Sequence, residues 1–214
     1  MNVIVGCECS QIVTSAFRKL GHNAWSCDII DSEGDYPEYH HKGDVLEFIK
    51  KSDIKWDLGI FHPPCTYLSL SSVSALYHDG SKFKKKNPNV KYGIDRWVAL
   101  YDGAIFFKEL LNLPIPRIAV ENPIPHRFTV GYIGRKYDQI IQPWMFGHKE
   151  SKATCLWLKS LPKLTETNNV KVEMSELQRK ESQKIHWMSP GPERAKKRSI
   201  TFAGIAKAMA NTWG

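Results

Sequence analysis

Apolar and polar positions along the chain switch repeatedly between two periods. Val3, Ile4 and Val5 form a β-branched run closed by Gly6, and apolar residues then recur at Val13, Ala16, Phe17 and Leu20 before Gly21. That pattern predicts a strand, a turn and a helix, with Ser10 placed to cap the helix by accepting a backbone N–H. Ala24, Trp25 and Cys27 mark a second strand ending at Asp28. A third short strand is expected at 39–42, ahead of Gly43-Asp44 and a helix over 45–51. Positions 56–61 give a fourth strand. Residues 94–112 read as a helix with Trp97, Val98, Tyr101, Ile105, Phe106 and Leu110 on its apolar face, stopped by Pro114 and Pro116. A fifth strand follows at 117–120, and two more at 139–144 and 153–158 form an antiparallel pair at one sheet edge. Segment 163–198 is polar and poor in aliphatic residues, with one short helix expected at 175–182, and residues 200–213 close the chain as a helix. Strands alternating with helices predict an α/β fold with a mostly parallel sheet.

Two of these strands end unusually. The fourth runs into Phe61-His62-Pro63-Pro64-Cys65-Thr66-Tyr67-Leu68-Ser69. Paired prolines fix φ, so the strand becomes a stiff, extended turn. Cys65 then sits at a strand's C-terminal end, where open α/β sheets bind ligands; taken alone, it reads as a small buried hydrophobe. The fifth strand delivers Glu121-Asn122-Pro123 to the same edge, and a carboxylate beside a cysteine in a cleft acquires a shifted pKa useful to catalysis. The turn Gly6-Cys7-Glu8-Cys9-Ser10 lies where nucleotide-like cofactors bind, but its single glycine gives no diphosphate fingerprint. Asp28 is placed either to accept hydrogen bonds from the ribose of an adenosine-containing cofactor or to cap a helix or face solvent. Asp44 falls at another strand end on the same edge.

Length and charge narrow the picture. A chain of 214 residues suits one domain with a small appendage. Its net charge of +8 points towards a polyanion, and the placement of the charge is more telling. Positions 81–92 mix aromatic residues with Lys84, Lys85 and Lys86, in a long insert directly after the Cys65 turn. Such inserts are functional or unstructured, which makes this one a candidate nucleic-acid-contacting loop or a solvated one. The five cysteines form no disulfide framework. Cys7, Cys9 and Cys27 lack the second ligand pair of a zinc site, so no metal is expected and the three read as buried thiols. No apolar run reaches the roughly 20 residues that span a bilayer. The first residues lack the basic start of a signal peptide. A cytoplasmic protein without a membrane partner is expected.

Pro63-Pro64-Cys65-Thr66-Tyr67-Leu68-Ser69 resembles the Pro-Cys nucleophile motif of the cytosine-C5 DNA methyltransferases, and Val120-Glu121-Asn122-Pro123 is similar to their Glu-Asn-Val motif. Order, separation and placement after strands agree. The resemblance implies a Rossmann-like fold dependent on S-adenosylmethionine, with Cys65 adding to cytosine C6 and Glu121 binding the ring at N3 and the exocyclic amine. It also implies that Asp28 holds the cofactor ribose, Asp44 the adenine amine, Gly6 with Cys7 and Glu8 the methionine end, and that His62 and Pro63 border the transferred methyl. Ser69, Asn122, Lys152 and the three loop lysines would contact DNA, double- or single-stranded. Residues 1–162 with 198–214 would form the catalytic domain and 163–197 a reduced recognition insert. Several positions depart from the family: Thr66 stands for its usual glutamine, Pro123 for valine, and Trp144 and Phe146 for the arginines that follow Gln142. The short insert keeps two other readings open, a different cytosine-containing acceptor such as a nucleotide, RNA or single-stranded DNA, and an inactive nucleic-acid-binding relative.

Overall fold

A computed structural model describes residues 1–77, 90–178, 181–187 and 197–214. Among the described residues there are seven strands: β1 (Asn2–Gly6), β2 (Asn23–Asp28), β3 (His40–Lys42), β4 (Leu58–Phe61), β5 (Arg117–Pro123), β6 (Gln139–Ile141) and β7 (Thr154–Lys159). They make one sheet in the order β3-β2-β1-β4-β5-β7-β6. The first five are parallel to one another, and β7 runs against both β5 and β6. The expected Rossmann-like α/β arrangement, with its antiparallel pair at one edge, is therefore present.

Alternate strand residues enter two separate cores, as a side-chain period of two requires. Val3, Val5, Leu58, Ile60 and Ala119 face α1 (Ile12–Lys19) and the last helix, where Phe17, Met209 and Trp213 pack. Ile4, Phe61, Ile118 and Val120 face the other way, towards α3 (Gly93–Leu111), with Leu100, Phe107 and Leu110. The helices between are α2 (Val45–Lys51), α4 (Arg127–Ile133), α5 (Lys171–Ser175), α6 (Lys184–Trp187) and α7 (Ala203–Trp213). No helix among the described residues is long and apolar enough to cross a membrane.

Four expectations are corrected. The buried face of α3 is Arg96, Ala99, Leu100, Ala104, Phe107, Leu110 and Leu111, whereas Val98 and Tyr101 are about half exposed. This helix is apolar on two sides, and the side carrying the small Ala99 and Ala104 is the one buried. Ser10 does not cap α1; the carboxylate of Glu8 does, because Gln11 adopts a left-handed φ of 53° that brings the preceding turn over the helix start. β5 runs on to Pro123 because antiparallel β7 pairs with it as far as Thr154, so Glu121 lies inside a ladder and not beyond a strand end. Among the described residues of 163–198, helices lie at Lys171–Ser175 and Lys184–Trp187, whereas 176–178 and 181–182 of the expected 175–182 helix are not helical.

Candidate active site

β1 and β4 are adjacent and parallel, so their C-terminal ends emerge side by side. The N–H of His62 donates to the carbonyl of Gly6 (3.0 Å), which extends this pairing one residue into the Pro-Pro-Cys turn. Gly6 has no room for a side chain: a Cβ there would meet Phe61 Cδ1 at 2.6 Å and Val45 Cγ2 at 2.7 Å. Its glycine thus serves the packing of Phe61, and Gly6 does not line the neighbouring cavity.

The cysteine turn is closed by its own carbonyl. Cys65 O accepts from Leu68 N (3.1 Å) and Ser69 N (3.2 Å), and Leu68 is fully buried. It is then stapled to the segment after β5: Leu70 N donates to Ile124 O (2.8 Å), His126 N to Leu68 O (3.3 Å), and Thr129 Oγ1 to Leu68 O (2.9 Å). From α3, the buried Arg96 donates to Thr66 O (3.1 Å) and lies over the Tyr67 ring. These bonds tie the Cys65 and Glu121 segments to each other across 50 residues of intervening chain.

Two cavities meet at this edge. The first, about 360 Å³, is lined by the β1 turn (Cys7, Glu8, Cys9), the end of β2 (Asp28, Ile29, Ile30) and Asp44, with Phe106 opposite. The second, about 350 Å³, holds Cys65, Glu121, Ser69, Pro63, Lys152 and Arg198. Cys7, His62, Pro64 and Ser199 line both and form the partition between them. Each has the size of an ordinary small-ligand site, roughly 300–1,000 Å³. A further cavity of about 320 Å³ opens beyond Cys65, between Leu70, Ile124 and Ser151.

The charged groups here are strongly coupled. Glu8 is 5 % exposed. Its Oε1 accepts from Val13 N (2.6 Å), and its Oε2 from Thr14 N (3.1 Å) and Thr14 Oγ1 (2.7 Å). Burial pushes its carboxyl up despite these bonds and the nearby His62. His62, with only 5 % of its side chain exposed, lies with Nδ1 3.3 Å from Glu121 Oε1. Apart from this charged contact, neither ring nitrogen has a hydrogen-bond partner among the described residues. Burial works to lower the imidazole pKa, but the Glu121 and Glu8 carboxylates outweigh it and hold it above its usual value. Burial likewise works to raise Glu121, and His62 with Lys152 overcomes this and draws it below the ordinary carboxylate value. The Cys65 thiol is raised by burial and by Glu121, with Arg198 and Lys152 partly opposing. Burial also raises the other enclosed thiols, Cys7 further, and Cys27 and Cys155 to about 12. No cluster among the described residues could hold a metal ion.

Several candidates fall outside these cavities or have other duties. Asp44 caps α2 by accepting from Glu47 N (2.9 Å) while still lining the first cavity. Asp28 Oδ1 accepts from Ile30 N (3.3 Å). Asn122 is buried, donates to Pro123 O (2.6 Å) and lines neither cavity. Pro63 borders the second cavity and not the first. Lys152 Nζ is anchored on the carbonyls of Arg198 (2.6 Å) and Ile200 (3.4 Å). Lys84, Lys85 and Lys86 lie outside the described residues. Arg198 and Ser199, which the sequence reading did not single out, reach the site from the far end of the chain. Their sole linear signal is a cation set beside the final helix.

Comparison with solved structures gives partial alignments at low identity. A protein assigned as a DNA modification methyltransferase, encoded within an Escherichia coli prophage, aligns with a TM-score of 0.45 and 14 % identity, covering 84 % of this chain and 56 % of its own. The Entamoeba histolytica methyltransferase EhMeth gives 0.44 and 16 %, with coverage of 79 % and 57 %. A DNMT2 mutant from Spodoptera frugiperda gives 0.35 and 12 %, with 76 % and 52 %. The chain thus spans little more than half the length of these structures. No family model and no curated protein matches the sequence.

Proposed function

We propose that the protein is an S-adenosylmethionine-dependent DNA cytosine-C5 methyltransferase with Cys65 as nucleophile. The observation that carries this reading is the pair of cavities sharing one wall, with Cys65 and Glu121 together in the second and Asp28 and Asp44 in the first. The residues of the first cavity suit the cofactor. Its lining contains Glu8, Asp28 and Asp44 but no lysine or arginine, which favours a cationic ligand over a diphosphate. Ile29, Ile30 and Phe106 offer apolar surface for an adenine, and the two aspartates offer acceptors for ribose hydroxyls and an amine. When bound, S-adenosylmethionine supplies a methyl group on an electrophilic sulfonium.

The chain's own groups would do the rest. Cytosine C5 is a poor nucleophile until a thiolate adds to C6, so Cys65 serves covalent catalysis. Lys152 and Arg198 favour that thiolate electrostatically. Glu121 hydrogen-bonds the ring at N3 and its amine, offsetting charge that builds up after attack. A base in duplex DNA must leave the stack to reach Cys65, at a cost of a few kcal/mol. The cavity beyond Cys65, with Ser69 and Lys152 on its wall, offers room for the flanking backbone. Residues 163–197 act as a reduced recognition segment on the catalytic domain formed by the rest, and Lys84, Lys85 and Lys86 as contacts to the phosphates.

The decisive experiment traps the intermediate. DNA carrying 5-fluorocytosine and S-adenosylmethionine are incubated with the wild type and with Cys65→Ala, using duplex and single-stranded DNA and RNA in parallel. A covalent adduct with the wild type alone is expected, and the polymer that gives it identifies the acceptor. Methyl transfer at full rate by Cys65→Ala refutes the nucleophile assignment.

A further inference from the structure

His62 is an anomaly that the nucleophile chemistry does not use. It stands on the partition between the two cavities, is almost fully enclosed, and has no hydrogen-bond partner at either ring nitrogen beyond its contact with Glu121. A buried polar side chain left in this state costs stability, so it marks a group retained for another reason. Its surroundings specify its charge. From β5, Glu121 Oε1 lies 3.3 Å from Nδ1. From the β1 turn comes Glu8, whose two oxygens are already committed to the start of α1. From the β6–β7 connection comes the ammonium of Lys152, the opposing charge. The remaining titratable and charged groups on the walls of the two cavities are Cys7, Cys9, Cys27, Asp28, Asp44, Cys65 and Arg198. Two carboxylates against one nearby ammonium favour an imidazolium.

We propose that His62 is a positioning residue that supplies the proton of Glu121. In the resting protein the proton is on His62 and Glu121 is a carboxylate. When a base bearing a ring-nitrogen lone pair enters the second cavity, the Nδ1–H bond breaks and an Oε1–H bond forms on Glu121. Neutral imidazole and carboxylic acid result, and the net charge of the pair stays zero. The acid then donates to the ring nitrogen. The same shift lifts from Cys65 the carboxylate charge that opposes its ionisation, so thiolate formation is linked to occupancy of the cavity. Glu121 thus presents a donor to N3 at a pH where an isolated carboxyl group is ionised. This inference rests on the methyltransferase reading for the identity of the ligand, but not for the charge state of the pair.

The test has two arms on the full-length protein. In the first, histidine-labelled protein is titrated by 15N NMR without substrate, with His62→Gln assigning the resonance. The His62 signal is expected to titrate above the ordinary value of about 6.5, and to move acidward in Glu121→Gln. A neutral His62 from about pH 6 upwards, or a titration indifferent to Glu121→Gln, overturns the proposal. In the second, single-turnover methylation of cytosine DNA is followed against pH. The alkaline limb of the wild-type profile is expected at the NMR value, and in His62→Gln it shifts acidward by at least about one unit, a tenfold loss at about pH 8 that acid restores. A purely structural His62 would scale the whole profile and leave its limbs in place, which also overturns the proposal. If the first arm succeeds and the wild type methylates no polymer, the methyl-transfer reading fails while the proton pair stands.

Discussion

Replacing Glu8 by alanine removes the cap of α1 and tests whether the first turn is built as described. The carboxylate accepts three hydrogen bonds, two from helix N–H groups and one from the Thr14 hydroxyl. Helix caps contribute about 0.5–2 kcal/mol, and bonds to a charged group about 1.5–3 kcal/mol each. Desolvation of the buried carboxylate, visible in its raised pKa, offsets part of this. At 5 % exposure water cannot replace the lost acceptor, so we expect a net loss of about 3 kcal/mol. For a chain of this length each kcal/mol lowers Tm by roughly 2–4 °C, and the expected fall is roughly 6–12 °C by circular dichroism. Glu8→Gln keeps one acceptor for Val13 but turns an amide N–H towards Thr14, so roughly half the loss is expected. A fall below about 2 °C for Glu8→Ala, or equal losses for the two variants, would refute the capping argument.

Two further outcomes follow from the charges around His62 and Cys65. The pKa of Glu121 is depressed in the folded protein, so its stabilisation exists above the ordinary carboxylate value and is lost as pH falls through the depressed one; His62 is raised, so its contribution is full below about 6.5 and lost as pH rises through the raised value. The difference in Tm between wild type and Glu121→Gln should therefore peak between about pH 4.5 and 6.5 and shrink on both sides, and a difference that is flat with pH contradicts the pairing. For Cys65, the pH dependence of iodoacetamide alkylation should move acidward in Glu121→Gln and alkaline in Arg198→Ala, and no movement in either variant would remove both groups from its electrostatic surroundings.

Much of the framework was legible from the sequence because it depends on local pattern. The β-branched runs at Val3 and Ile118 and the proline-interrupted strand end at Phe61 identify buried parallel strands by length and composition alone. α4 leaves no mark in the sequence because its N-cap is the side chain of His126, which accepts from Thr129 N, and not one of the usual capping residues. The face of α3 was misread because Trp97 and Tyr101 satisfy helical spacing equally well; they pack on Phe128 and Tyr132 of α4, a helix that the pattern did not reveal. Cys65 and Glu121 were visible as a pair because two strands of one sheet end on one edge. The His62–Glu121 contact was not, since it depends on how far β5 extends, and that is decided by β7 more than 30 residues later. Arg198 is further still from Cys65 along the chain, and nothing local marks it.

The direction of β7 also divides the mechanical character of the second cavity. β4 ends at Phe61, and Cys65 lies on the turn beyond it. β5, by contrast, pairs with β7 through Glu121 and Asn122 to Pro123. One wall is therefore held by the ladder bonds of the sheet, and the facing wall by the fixed φ of its prolines and by the bonds that Arg96, His126 and Thr129 make to the cysteine turn. Neither wall needs a ligand to hold its place, so the gap between sulfur and carboxylate is set before a base arrives. A ring too thick for it would be excluded at entry.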